Sequence, residues 1–163
     1  ASPDCLTCPL ADGCAALSQG RVDALPVKQH KTKVTNRFFN YIYVRTGGYT
    51  YIRKRTGNDI WKNLYEPLLI ESDEDLTGKN RALLQKLQDV FGNCEGVFFR
   101  PIKEGVRHVL SHRIIHANFY ELVFPVDSVS IAGYQRVAEE DLHKFAVSNL
   151  VYQFFSLILE PNN

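Results

Sequence analysis

Cys5, Cys8 and Cys14 fall within ten residues of one another, in the spacing C-x2-C-x5-C. Two thiolates separated by two residues can reach one metal centre, and iron–sulfur clusters and zinc both use that spacing. A closed site takes four ligands, and this stretch supplies three. The remaining cysteine, Cys94, lies eighty residues further on, beside Gly92 and Asn93. The chain opens on Ala1 and contains no methionine, so the expectation is a fragment cut through a metal site whose first ligand precedes Ala1. Disulfides and chance thiols compete with this reading. Secreted disulfide scaffolds are dense in cysteine throughout, however, whereas three of these four cysteines sit at one end.

A second chemical signal is cationic. Lys28, Lys31, Lys33 and Arg37 form one cluster, and Arg53, Lys54 and Arg55 a second. Arg100, Lys103, Arg107, His108, His112, Arg113 and His116 form a third, while Glu71, Asp73, Glu74 and Asp75 gather the acidic charge elsewhere. Net charge is only +1, so no global field selects a partner. Three local clusters fit a polyanion and fit solvated faces about equally. The 163 residues, 45% apolar and 23% charged, suffice for one ordinary domain with its own core. No run of ~18 apolar residues is present to span a membrane, and no signal-peptide pattern opens the chain.

The elements that must position these groups follow from periodicity. Asn40 to Arg45 reads as a strand, Gly47-Gly48 as a tight hairpin turn, and Tyr49 to Arg55 as the returning partner. Thr56-Gly57-Asn58-Asp59 is a turn; Trp61, Leu64 and Tyr65 follow in a loop, and Pro67 to Glu71 reads as a short strand. Residues 78–91 carry Leu83, Leu84, Leu87, Val90 and Phe91 on one helical face. Val97 to Phe99 suggests strand. Val106 to Leu110 and Ile114 to Phe124 read as a second hairpin turning near Leu110-Ser111-His112. Val147, Leu150, Val151, Phe154, Phe155 and Ile158 repeat at helical spacing behind Ser148 as N-cap. Hairpin, helix, hairpin, helix predicts an α+β sandwich. Trp61 reads as a core anchor, and His116, in an apolar strand, as a satisfied, partly buried histidine.

In that order the residues resemble a known family. Cys5-Leu-Thr-Cys8-Pro-Leu-Ala-Asp-Gly-Cys14 is similar to the tail of the C-x6-C-x2-C-x5-C iron–sulfur loop of helix–hairpin–helix DNA glycosylases. Leu25-Pro26-Val27-Lys28, with Lys31 after it, is similar to the linker of adenine DNA glycosylases, the MutY family. Ile52-Arg53-Lys54-Arg55 and Ile60-Trp61-Lys62-Asn63-Leu64-Tyr65-Glu66 resemble the I-R-K-R and L-W-x-x-L-W-E-F-P stretches of its C-terminal domain. His108-Val109-Leu110-Ser111-His112 resembles its H-x-F-S-H motif, with Leu110 where the family has Phe.

The resemblance implies a Nudix-like α/β/α sandwich with a mixed sheet and two main helices over 37–163. It also implies a linker over 18–36 and the end of a cluster loop over 1–17. It implies that Cys5, Cys8 and Cys14 hold a [4Fe–4S] cluster with an upstream cysteine in the full-length protein, with none expected in this fragment. The implied function is recognition of 8-oxoguanine opposite adenine in double-stranded DNA during base excision repair, beside an N-terminal catalytic domain of the same protein. The fragment is expected to be monomeric, without a catalytic centre of its own, off the membrane, and cytoplasmic near the nucleoid.

Oxidation at C8 puts a proton on guanine N7 and an acceptor at O8, where guanine shows a bare N7 acceptor. The Ser111 hydroxyl both accepts and donates, so it can take the N7 proton, which a lysine ammonium cannot. Such a contact discriminates by roughly 1–3 kcal/mol. His112 is expected on phosphate or a base edge, Leu110 as an apolar wedge, and Lys103, Arg107 and Arg113 on phosphates, which hold register without reading sequence. Two rivals remain. One is a non-catalytic protein-interaction module. The other is a Nudix hydrolase, which needs G-x5-E-x7-R-E-x2-E-E to hold divalent cations, whereas the helix at 78–91 carries Asp89 as its only carboxylate. Glu139 and Glu140 are adjacent but lack the Arg-Glu step before them.

Overall fold

The computed structural model describes residues 3–27, 33–92, 96–125 and 129–159; Lys28, Lys31 and Cys94 lie outside them. Two compact units are distinguished, Ala1–Lys33 and Val34–Asn163. In the first, Ala11–Gly13 and Val22–Ala24 are 3-10 turns and Ala15–Ser18 makes a single helical turn, α1. None of these three elements buries a residue, and Leu6 and Leu10 face solvent.

The second unit is organised by β1 (Thr35–Arg45), whose segment from Phe39 to Val44 is wholly buried. A run buried on both faces belongs in the middle of a sheet. β1 pairs in parallel with β6 (Arg113–Val123) along its whole length, and antiparallel with β4 (Leu68–Ser72) over Phe38–Ile42. β5 (Phe98–Val109) lies antiparallel on the outer side of β6, so the mixed four-stranded sheet runs β4-β1-β6-β5. A second, three-stranded sheet holds β3 (Tyr65–Glu66), β2 (Tyr49–Lys54) and β7 (Gln135–Ala138), in the order β3-β2-β7.

The two-residue turn at Gly47-Gly48 is present. Both glycines have positive φ, 54° and 81°, as a primed turn requires, and Thr46 and Tyr49 exchange both backbone hydrogen bonds at 2.9 Å. The hairpin expected on either side of it is not. Past the Thr46–Tyr49 bridge the strands part into different sheets, because β6 and β4 already occupy the edges of β1. The second hairpin, β5–β6, is present and longer than expected, taking in Phe98 and Phe99 of the span read as Val97 to Phe99 at its far end. Thr35 and Asn36, within the span read as linker, already pair with Arg113 and Ile114.

Alternation along β1 divides the core between two helices. Phe39, Tyr41 and Tyr43 join Ile115, Phe119 and the buried face of α3 (Asn149–Leu159). Ile42 and Val44 join Tyr120, Leu122 and the buried Leu83 and Leu87 of α2 (Asn80–Phe91). The result is the expected α+β sandwich with a mixed sheet and two main helices. Ser148 caps α3, its Oγ accepting from Val151 N at 3.3 Å, and Gly92, at φ 72°, ends α2. Among the described residues no helix is long and apolar enough to cross a membrane.

Buried polar groups steer β5. Asn118 is 3% exposed; its Nδ2 donates to Asn40 Oδ1, and its Oδ1 accepts from Thr77 Oγ1 and from Gly105 N at 2.8 Å. Gly105, at φ 68°, sits where the β5–β6 register slips between Lys103 and Val106. A bulge leaves a backbone N–H without a ladder partner, and the Asn118 amide meets it. Phe154 is fully buried and stacks on Phe119 at 4.6 Å. Phe154→Ala should cost about 3–5 kcal/mol, read as a lowered midpoint in urea denaturation.

Candidate functional site

β5 and β6 meet in a tight turn closed by Leu110 N donating to Arg113 O at 2.8 Å. Ser111 and His112 form its exposed tip, and the His112 carbonyl accepts from Thr35 N at 3.2 Å, fastening the tip to the start of β1. Leu110 is half-buried and packs on the α3-side core, so it anchors the turn from below. Lys103 and Arg107 are exposed on edge strand β5 and make no ion pair among the described residues. Arg113 is engaged, with Nη1 donating to Asp59 Oδ1. His116 is half-buried, stacked on Phe38 at 5.0 Å and bonded to Asn36 Oδ1 at 3.0 Å.

The turn faces a strained loop. Trp61 and Asn63 both have positive φ, 57° and 70°, a region residues with side chains seldom enter. Backbone bonds hold them there, from Asn63 N to Arg55 O at 2.7 Å and from Leu64 N to Trp61 O at 3.0 Å. The Trp61 ring lies against Phe39 and, at 5.8 Å, against His108. The Ile60–Glu66 and His108–His112 stretches, over forty residues apart in sequence, thus meet in space. Asn58, Asp59 and Ile60 with Leu110, Ser111 and His112 line an open depression of about 470 Å³.

An arginine–carboxylate network lies behind it, along a polar cleft of about 610 Å³. Arg37 forks onto Glu71 through Nε (2.6 Å) and Nη2 (2.7 Å), and its Nη1 reaches Asp59 at 2.6 Å. Arg55 reaches Asp59 at 3.0 Å and Glu66 at 2.6 Å, and Arg53 also donates to Glu66 at 3.0 Å. Glu66 is 1% exposed, and two guanidinia pair with its carboxylate at that depth, which offsets the cost of taking the charge out of water. Burial alone would raise the Asp59 carboxyl; hydrogen bonds from Arg37, the Ile60 backbone and Arg113 outweigh it and hold the group well below the usual carboxylate range. The bond to Glu71 raises Arg37 further, against its own burial.

Of the residues singled out by sequence, the structure brings Leu110, Ser111, His112 and Arg113 together and sets Lys103 and Arg107 along the adjoining strand. Asp59 had no motif to mark it, and Glu66 stood in the stretch resembling L-W-x-x-L-W-E-F-P with no role assigned to it. Their available signal was the surplus of arginine at 53 and 55, which in a folded domain calls for acids nearby. Cys5 and Cys14 are half-buried, Cys8 is exposed, and all three are free thiols. They are one donor short of a closed site, and among the described residues no group of three His, Cys, Asp or Glu is gathered to hold a metal ion. On α2, Asp89 is the only carboxylate.

Residues 40–157 match the family model described as the NUDIX domain, and the chain belongs to that family. Among solved structures it is similar to the C-terminal domain of mouse MUTYH, determined in complex with human PCNA, at 17% identity and a TM-score of 0.61, over 77% of this chain and 88% of that one. It is also similar to a MutT protein from Methanosarcina mazei, at 14% identity and a TM-score of 0.56, over 82% and 100% of the two chains. The E. coli dihydroneopterin triphosphate pyrophosphohydrolase is similar at 11% identity and a TM-score of 0.56, over 80% and 100%. At these identities the likeness is one of fold. No curated protein matches the sequence.

The Asp59 shift carries a sign for stability. Its folded-state pKa lies below the unfolded value of about 3.9, so its contribution is whole above the unfolded value and is lost progressively as pH falls from there through the lower folded-state value. The urea midpoint should hold steady from about pH 7 to pH 5 and drop below about pH 4. Asp59→Asn should start lower at neutral pH and show a shallower acid drop.

Proposed function

We propose that this chain is the lesion-recognition domain of an adenine DNA glycosylase of the MutY kind, reading 8-oxoguanine opposite adenine from the β5–β6 turn. The observation that carries the reading is the exposed Ser111-His112 tip above an anchored Leu110, at the end of a strand bearing Lys103 and Arg107. A protruding turn is the part of a sheet able to enter a groove, and its hydroxyl matches the donor–acceptor change that oxidation makes at N7. Lys103 and Arg107 supply phosphate contacts, and Arg113, held by Asp59, braces the turn. Glycosidic-bond cleavage belongs, in this reading, to the catalytic domain of a longer protein, where Cys5, Cys8 and Cys14 join an upstream cysteine around an iron–sulfur cluster. The chemistry of α2 favours recognition over nucleotide hydrolysis, since Mg²⁺ sites are built from carboxylates and the helix offers one.

A protein partner is a second reading. The mouse MUTYH domain was solved with human PCNA, and Tyr152 and Leu159, seven residues apart on one face of α3, leave an apolar flank of that helix open to solvent. Binding to PCNA that survives both Ser111→Ala and high salt would place that contact on a surface separate from the turn.

The direct test is binding to duplexes carrying 8-oxoguanine or guanine opposite adenine, titrated with salt. With Lys103 and Arg107 as the phosphate contacts, log affinity against log salt should fall with a slope of about −2. Ser111→Ala should reduce lesion preference by roughly fivefold or more while leaving affinity for undamaged duplex unchanged. Equal binding of both duplexes by the unaltered chain would sink the reading, as would Mg²⁺-dependent turnover of an oxidised guanine nucleotide.

A further inference from the structure

We propose that Asp59 is the positioning residue of the recognition turn, fixing Ser111 and His112 in place by gripping Arg113. Its consequence for DNA rests on the lesion-reading function above; its geometry does not. Three segments converge on this one carboxylate: Arg37 from β1 at 2.6 Å, Arg55 from beyond β2 at 3.0 Å, and Arg113 from the first residue of β6. Two of those arginines are themselves pinned, Arg37 by its fork onto Glu71 and Arg55 by the buried Glu66. Asp59 therefore sits on a fixed platform, and Arg113 is the arm that extends from it to the turn.

The turn has few other restraints. Its tip side chains, Ser111 and His112, are exposed and make no side-chain hydrogen bond among the described residues. Besides the packing of Leu110 on the core, two backbone bonds hold the turn, Leu110 N to Arg113 O and Thr35 N to His112 O. The platform also lies next to the positive-φ residues Trp61 and Asn63, and strained backbone persists where its surroundings over-determine it. A hydroxyl that must distinguish N–H from a bare nitrogen has to be held to a fraction of an ångström, and a guanidinium clamped at the base of a two-residue tip supplies that restraint.

The test uses the 163-residue chain with Asp59→Asn and, because that change touches three ion pairs, a second variant, Arg113→Gln, which removes only the arm to the turn. Amide relaxation at 110–113 is measured with binding to 8-oxoguanine:adenine and guanine:adenine duplexes across salt. Both variants should loosen the turn and lower lesion preference by about fivefold. Their salt dependence should then diverge. Asp59→Asn frees a cation and should steepen the salt slope on undamaged duplex by up to about 1, whereas Arg113→Gln should not. If Asp59→Asn does not fold, Arg113→Gln decides. Lesion preference retained in both variants would overturn the positioning role alone. An unaltered chain without lesion preference, whose turn both variants loosen, would refute the lesion reading and leave the positioning role standing.

Discussion

Parallel pairing of β1 with β6 over eleven residues is the constraint on which the rest of the domain depends. Both strands are buried in their central stretches, and each sends alternate side chains to opposite faces, so one pairing sets both helix interfaces at once. A slip of one residue would trade Phe39, Tyr41 and Tyr43 for Ile42 and Val44 under α3, with a core of the wrong shape on either side. The same register, Thr35 opposite Arg113, puts the turn that precedes β6 at the N-terminal end of β1. There it meets the loop beyond β2, and Leu110, Ser111 and His112 acquire neighbours far away in sequence.

Electrostatics divides cations that look alike on paper. Arg37, Arg53, Arg55 and Arg113 are turned inward onto Asp59, Glu66 and Glu71. Lys103 and Arg107 remain outward on an edge strand. The first group is worth most as a scaffold, because paired guanidinia in a partly buried cleft are less screened and geometrically fixed. The second group keeps its charge available to solvent and to a polyanion. A high local count of arginine is therefore a poor measure of a nucleic-acid surface; what counts is how many have no carboxylate in reach.

Within this NUDIX-family backbone, α2 carries a single carboxylate, Asp89. α2 keeps its buried face, Leu83 and Leu87, since those residues close the core, while its outward positions run to Arg81, Gln85 and Lys86. The apolar stripe of α2 closes the core, and the polar stripe is left to face solvent.

The amino-acid sequence determined much of this on local grounds. Two helices of period 3.6, a glycine pair able to take positive φ, a β-branched hairpin around Ser111 and a Ser148 cap all depend on neighbours a few residues apart. It also set out three thiols in metal-ligand spacing. It did not show that β1 and β2 part after their turn, because strand partners are chosen by which edges are free, and that is known only once β4 and β6 are in place. Nor did it mark Asp59, which stood in the sequence as one residue of a turn. Its hold on Arg37, Arg55 and Arg113 comes from three segments that only the closed sheets bring within hydrogen-bonding distance, and charge pairing falls away too steeply with separation for sequence spacing to reveal it.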